Sequence, residues 1–238
     1  MIIERFINLS QDELDKPIYR IMPVNRLFES IVSKRNVLVP PHKWNDPFEN
    51  LLLKHRTKFE INYVEKTGVL SPASSKVYGQ CWTTHKETDA MWRIYSNDES
   101  GAKVKTTPRL LMSAINDDSN NSNVYIGKVQ YLNKGELLDK LEGLDAYISD
   151  KDVAESLFYK RKEFSHEKEV RLVHTNGKGN IHKHVINPNS LFEEVVFDPR
   201  INGHLYEAYK GALVKHGYNG KIEKSSLYQL PDELKRRK

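Results

Sequence analysis

The chain of 238 residues has one cysteine, Cys81, so no intramolecular disulfide can staple it and no multi-cysteine zinc finger can form. Nowhere do more than three residues of the AVILMFWYC set follow one another, whereas a membrane-spanning helix needs about 20. The opening stretch, Met1 to Lys16, has no basic segment followed by an apolar one, so no secretory signal is expected. There is no repeat at a solenoid period, no low-complexity linker and no Gly-x-Gly-x-x-Gly nucleotide loop. These absences predict a cytoplasmic protein with no membrane partner. Charge of one sign is barely in excess: 37 Lys and Arg against 32 Asp and Glu leave +5, a mild bias toward anionic partners. The densest basic run, Lys235-Arg236-Arg237-Lys238, reads as a solvated tail. Aromatic residues, by contrast, are plentiful, and 8 Phe, 12 Tyr and 3 Trp supply the large apolar surfaces of a folded core.

Apolar spacing predicts strands near 18–22, 37–39, 78–83, 124–132, 170–173, 181–186 and 194–197. It predicts helices over 24–34, 52–63, 90–96, 136–142, 153–159 and 205–213. Another opens at the N-cap and N1 pair Thr107-Pro108. Ser149 with Asp152 resembles a capping box, and the polar stretch 116–123 reads as a surface loop. The expected fold is α+β, with mixed, mainly antiparallel sheets and helical insertions, in one domain over 1–238.

Three clusters carry possible chemistry. Asn45-Asp46-Pro47-Phe48-Glu49 after Trp44 is a turn signal, read either as a helix cap or as a rim on which Trp44, Asn45 and Asp46 hold a base or ribose. Cys81-Trp82-Thr83-Thr84 is followed by Ala90 to Ser96, where Trp92 and Ser96 share one helical face and Met91 and Tyr95 another. That stripe is either core or a place from which Arg93, Tyr95 and Ser96 reach a phosphate or nicotinamide. Glu167, Glu169 and Arg171 fall on one face of an extended chain. They make either an ion-pair ladder or a Glu-x-Glu catalytic strand.

The order Tyr19-Arg20, Asn45-Asp46-Pro47-Phe48-Glu49, Cys81-Trp82-Thr83, Met91-Trp92-x-x-Tyr95 with Gly101, Tyr159-Lys160, Glu167-x-Glu169-x-Arg171 and Ser226-Leu227-Tyr228 resembles the bacterial domain of unknown function 2971 family over nearly the whole chain. The members' place beside phage-defence and abortive-infection genes implies a defence role, with an antitoxin or regulator as a further possible partner. More loosely, an early strand Arg, a mid-chain Ser/Thr strand and a late Glu-x-Glu strand resemble the Arg–Ser/Thr–Glu signature of ADP-ribosyltransferases. Here Cys-Trp-Thr-Thr stands where that signature has a Ser-Thr-Ser type. The resemblance implies NAD as substrate, Arg20 on its pyrophosphate and Thr83 or Thr84 at the nicotinamide side. Tyr19, Trp92, Tyr95 and Ser96 are placed with them on the cofactor side. Glu169 would be the catalytic glutamate, Glu167 would lie nearest the acceptor, and Asn45, Asp46 and Arg171 would hold substrate. It implies a macromolecular acceptor, nucleic acid slightly ahead of protein, and no metal. Glu169→Gln, being nearly isosteric, is expected to remove activity with the fold intact.

Three other readings stay open. Arg161 and His166 have the Arg-x4-His spacing of helical ribonuclease toxins, with His166 as general acid or base. His182-x-His184 puts two imidazoles on one strand face, with His174 a possible third metal ligand. A non-catalytic nucleic-acid-binding module would use the basic surface alone.

Overall fold

A computed structural model describes residues 5–44, 76–115, 123–142, 150–177 and 179–231. The sites expected at Asn45 and Asp46, the helix over 52–63, the loop over 116–122, the cap at Ser149 and the basic tail at 235–238 lie outside the described residues.

The strands are β1 (Phe6–Ile7), β2 (Ile18–Met22), β3 (Arg35–Leu38), β4 (Lys76–Thr83), β5 (Ala102–Thr106), β6 (Val124–Lys128), β7 (Gln130–Leu132), β8 (Tyr159–Arg161), β9 (Glu169–Gly177), β10 (His182–Val185), β11 (Glu194–Phe197) and β12 (Lys221–Lys224). Eight of them form one sheet in the order β1-β6-β9-β4-β2-β5-β11-β12. Only its outermost pairs, β1 with β6 and β11 with β12, are parallel. The expected α+β fold with mainly antiparallel pairing is what the chain adopts. Two further pairs stand apart, β3 with β10 antiparallel and β7 with β8 parallel.

Helices cover the sheet: α1 (Val24–Ser33), α2 (Asp89–Tyr95), α3 (Pro108–Ile115), α4 (Lys134–Glu142), α5 (Asp150–Ser156), α6 (Pro188–Leu191) and α7 (Gly203–Lys215). Thr107 caps α3 as expected, its Oγ1 accepting from the Leu110 N–H at 3.2 Å. Thr88 caps α2 in the same way, accepting from Met91 N–H at 3.1 Å. No helix among the described residues is long and apolar enough to cross a membrane.

Alternation along the strands splits the core between the two faces. Val170 and Leu172 of β9 join the larger cluster with Ile18, Leu27, Trp82, Phe197 and Leu213. Val173 points the other way, into a smaller cluster with Val77, Tyr125, Val153, Leu157 and Phe158.

Two expected elements divide differently. The strand over 124–132 divides at Val129: its N–H still donates to Glu169 O at the end of the β6–β9 ladder, and the next N–H, that of Gln130, turns to Phe158 O beside β8. The helix over 153–159 ends at Ser156, and Tyr159 starts β8 beside Gln130. Both breaks serve the start of β9, where the charged residues lie.

Candidate active site

Strands β2, β4 and β9 are neighbours, and at one level of the sheet Tyr19 pairs with Thr83 and Thr83 with Glu169. Tyr19–Thr83 is the only register pair of β2 with β4. Beyond it the strands part, and a cavity of about 500 Å³ lies between residues 19–23 on one side and 79–83 on the other. Arg20, Cys81, Tyr95, Glu167 and Glu169 all line it.

Glu169, the first residue of β9, is buried. Lys160 Nζ donates to its Oε1 at 2.5 Å and Arg171 Nε to its Oε2 at 2.6 Å. The same Lys160 ammonium donates to Glu167 Oε2 at 2.6 Å. Arg171, 0% exposed, also donates from Nη1 to Leu157 O at 2.7 Å and lies over the Trp44 ring, 4.6 Å from its centroid. The backbone N–H of Glu169 donates to the Tyr131 hydroxyl at 2.8 Å. Two carboxylates thus share two cations in a nearly dry setting.

Their proton affinities are driven apart. Burial raises the Glu167 carboxyl, and its hydrogen bond to Glu169 raises it further, so that Lys160 does not bring it back to the usual carboxylate range. Burial acts upward on Glu169 as well, but there the Arg171 charge, the hydrogen bonds from Glu167 and Arg171, and Lys160 outweigh it and hold the carboxyl below that range. Tyr95, beside both, is held protonated by burial first and then by the two glutamates.

On the opposite wall Arg20 has no hydrogen bond or ion pair to any described residue. Burial makes its charge less favourable, and among the described residues only the Cys81 side chain offsets this. A guanidinium that faces a cavity, half-buried and without a hydrogen-bond or ion-pair partner among the described residues, is unusual, because a desolvated charge is normally paired.

The structure sorts the expected site residues. Arg20, Tyr19, Thr83, Tyr95, Glu167 and Glu169 share the cavity wall. Thr83 uses its hydroxyl on the backbone, donating to Glu167 O at 2.7 Å and accepting from His85 N–H at 3.0 Å, so it braces the glutamate turn. Thr84, exposed, is outside the wall; its N–H donates to Lys168 O. Trp92 and Ser96 are corrections to the expected cofactor side. Trp92 is 0% exposed and donates from Nε1 to Glu87 at 2.8 Å. Ser96 accepts the Gly101 N–H at 2.9 Å, and a Cβ on Gly101 would come within 2.6 Å of that hydroxyl. Both are packing residues. Arg171 is likewise corrected from substrate contact to support, since it sits behind Glu169 and off the cavity wall. Ser226-Leu227-Tyr228 secures the late chain to α2, with the Tyr228 hydroxyl donating to Asp89. Arg161 ends β8 and stands at the N-cap of a 3-10 turn over Lys162–Glu167, His166 lies within that turn, and neither lines the cavity.

Sequence reasoning missed Lys160 and Tyr131. Both lie in the short β7–β8 pair. Lys160 stands in the sequence only as part of the Tyr159-Lys160 motif, just past the helix expected over 153–159 and with no role assigned, and its place in β8 is what turns it inward.

Trp44 packs over Gly79 of β4. A Cβ there would approach Trp44 Cζ2 to 2.5 Å and Cη2 to 3.0 Å. Gly79→Ala should therefore displace the indole from the cavity wall and from Arg171. We expect a loss of about 1–3 kcal/mol, the usual range for an overpacked site, measurable by thermal unfolding with a shift in tryptophan emission. An unchanged melting point and spectrum would show that Trp44 yields freely.

Two solved structures of DarT from Thermus sp. 2.9 are similar to this chain. One, in complex with NAD+, is 12% identical, with 89% of this chain and 96% of that chain covered and a TM-score of 0.43. The other, in complex with ADP-ribosylated single-stranded DNA, is 14% identical, with 89% and 94% covered and a TM-score of 0.42. No curated protein matches the sequence. Residues 91–172, from α2 through Glu167, Glu169 and Arg171, match the model of the family described as "Protein of unknown function (DUF2971)", in keeping with the resemblance drawn from the motif order.

Proposed function

We propose that residues 1–238 act as an ADP-ribosyltransferase-like domain that cleaves the nicotinamide–ribose bond of NAD and transfers ADP-ribose to a macromolecule. Nucleic acid is favoured over protein as acceptor, and the family resemblance favours a toxin or effector role in phage defence. The observation that carries this reading is the cavity with Arg20, unpaired among the described residues, on one wall and the Glu167–Glu169 pair on the other. Its volume is that of a site for a small cofactor-sized molecule.

The chemistry follows from the charges. Arg20 would take the pyrophosphate through a bidentate, charge-assisted contact. As the glycosidic C1′–N bond breaks, its electron pair leaves with nicotinamide and positive charge grows on the ribose, as in glycoside hydrolysis. A carboxylate fixed beforehand stabilises that charge without reorganising. Glu169, locked by Lys160 and Arg171, has this character. Glu167, with its raised proton affinity, would accept the proton that the acceptor loses as it bonds to C1′.

A pH dependence follows, and its sign is fixed. A base works only when deprotonated, so turnover should rise with pH through the Glu167 ionisation and fall on the acid side. The apparent pKa should lie above the ordinary glutamate value of about 4.3. Glu167→Gln should lower kcat by roughly 10²–10⁴-fold and flatten this limb. A wild-type profile with no acid limb above pH 5 would remove Glu167 as the base.

The direct test is nicotinamide release from labelled NAD by the wild-type chain, alone and with single-stranded DNA, total RNA or lysate protein. Release with label carried onto nucleic acid is expected. Label on protein would shift the acceptor, and release without transfer would make the chain a hydrolase. Absence of release in every mixture would overturn the proposal.

A further inference from the structure

Away from the cavity chemistry, three imidazoles from two sheets converge. His174 comes from β9 of the main sheet, and His182 and His184 come from one face of β10, which pairs with β3. One ring nitrogen from each lies within 4.8 Å of the other two. The ring centroids are 4.2 Å apart for His174 and His182, 4.4 Å for His182 and His184, and 5.6 Å for His174 and His184.

The second observation concerns His184. It is 2% exposed, and neither Nδ1 nor Nε2 has a hydrogen-bond partner among the described residues. Buried polar atoms are nearly always satisfied, and one that is not calls for a ligand, an ion or a water. Its neighbours do not fill that need. The Tyr78 hydroxyl donates instead to Gly179 O at 2.5 Å, and the Tyr78 ring packs against His182. Room is kept by Gly177, where a Cβ would lie 2.4 Å from the Tyr78 ring and 3.1 Å from His182 Nδ1. His182 is partly exposed and gives a path from solvent.

We infer that His174, His182 and His184 form a binding site for a transition-metal ion of the zinc class, which clamps the β3–β10 pair to the main sheet. The donor set chooses the metal. Three imidazoles, with no carboxylate or thiolate grouped with them among the described residues, suit Zn²⁺, Cu²⁺, Ni²⁺ or Co²⁺ and not the oxygen-seeking Ca²⁺ or Mg²⁺. Three protein ligands leave a fourth position for water. Bonds of about 2.0–2.1 Å in a tetrahedron put nitrogens roughly 3.4 Å apart, so nitrogens now within 4.8 Å of one another need close by no more than about 1.4 Å. His174 must also give up a contact, because its Nδ1 now accepts the Asn176 N–H at 3.1 Å. On ligation through Nε2 that nitrogen carries the proton, and on ligation through Nδ1 the amide turns to water. Burial lowers the His174 imidazole to about 4 and that of His184 to about 3, so metal binding displaces no proton from either near neutrality.

The clamp has a position worth noting. β3 contributes Asn36 and Val37 to the cavity wall, and Ile181 borders it just before β10. Asn36 also bonds Gln80 of β4, with Gln80 Nε2 donating to its Oδ1 at 2.7 Å. A metal there would stiffen one wall of the cavity without touching the glutamates. The inference stands whether or not NAD is the substrate.

The test uses the full chain, stripped with chelator and titrated with Zn²⁺ by calorimetry, with thermal unfolding in parallel and the Co²⁺ visible spectrum as a report of tetrahedral nitrogen ligation. One ion per chain, a melting point raised by several degrees and a tetrahedral Co²⁺ spectrum are expected. His184→Phe should weaken binding at least ~100-fold and abolish the shift, while the metal-free melting point holds or rises. His182→Gln, at the partly exposed ring, serves as a second variant should His184→Phe fail to fold. Zinc binding and a melting shift that survive both substitutions, or no binding of Zn²⁺, Cu²⁺, Ni²⁺ or Co²⁺, would overturn the site.

Discussion

Glutamine in place of Glu169 is expected to reduce nicotinamide release by about 10³-fold or more and to destabilise the protein. The activity loss is the upper end of what one fixed electrostatic group contributes to a transition state. A stability loss is expected as well, where isosterism alone would predict an intact fold. Glu169 is the counter-charge for Lys160 and Arg171, which are 7% and 0% exposed. Removing one member of a buried ion pair typically costs about 3–5 kcal/mol, because the partner stays buried and uncompensated. Glu167 softens this, since two unneutralised cations favour its ionised form, so the lower end applies. For a chain of this size about 3 kcal/mol is roughly 6–12 °C in melting temperature. Activity and folding can be separated by adding Lys160→Met, which again balances Arg171 against Glu167. Thermal unfolding should show stability recovering in the double variant while nicotinamide release does not. Recovered turnover would make Glu169 a structural residue and sink its catalytic role.

The frame of this fold was readable because it rests on periodicity. The helix α1 follows from Leu27 and Ile31 recurring at helical spacing, and α3 from its Thr107 cap. What failed was local and had tertiary causes. Nothing in 153–159 marks the end of the helix at Ser156, because the signal is the edge offered by β7, far upstream. Glu167, Glu169 and Arg171 were rightly grouped, but for a partly wrong reason. Glu167 is not in the strand; it ends a 3-10 turn, and Lys168 at φ 43° turns the chain so that the two carboxylates still meet at Lys160. Trp92 and Tyr95 show the limit of an aromatic stripe. Helical spacing separates their faces, but only packing decides that Trp92 is core and Tyr95 lines the cavity. His174 and the His182–His184 strand could be proposed together from sequence, yet their meeting depends on where a separate two-stranded sheet docks.

Arg20→Met is expected to move stability and function in opposite directions. In the free protein the guanidinium is desolvated and, among the described residues, only the Cys81 side chain offsets this in part, so it destabilises the fold. Methionine matches its length and apolar stem, packs beside Met22 and Trp82 along the same wall, and carries no charge. The gain should be about 1–2 kcal/mol, or roughly 2–8 °C at this chain length. NAD binding should weaken in exchange. Loss of a buried charge-to-charge contact typically costs 2–5 kcal/mol, and the lower half of that range is roughly 30- to 300-fold in affinity. The same cavity therefore makes a second, internal check available. Saturating NAD at about 100 times its dissociation constant should stabilise the wild type by about 2.7 kcal/mol, and the same concentration should raise the melting temperature of the methionine variant much less. Thermal unfolding of both proteins with and without NAD reads all of this at once. A variant that melts lower than wild type would mean Arg20 is structurally paired. Equal protection of both by NAD would mean that the guanidinium does not face the pyrophosphate. The opposed signs are what distinguish a residue kept for its ligand from one kept for the fold, because a group that only supports the fold cannot be removed with a gain in stability.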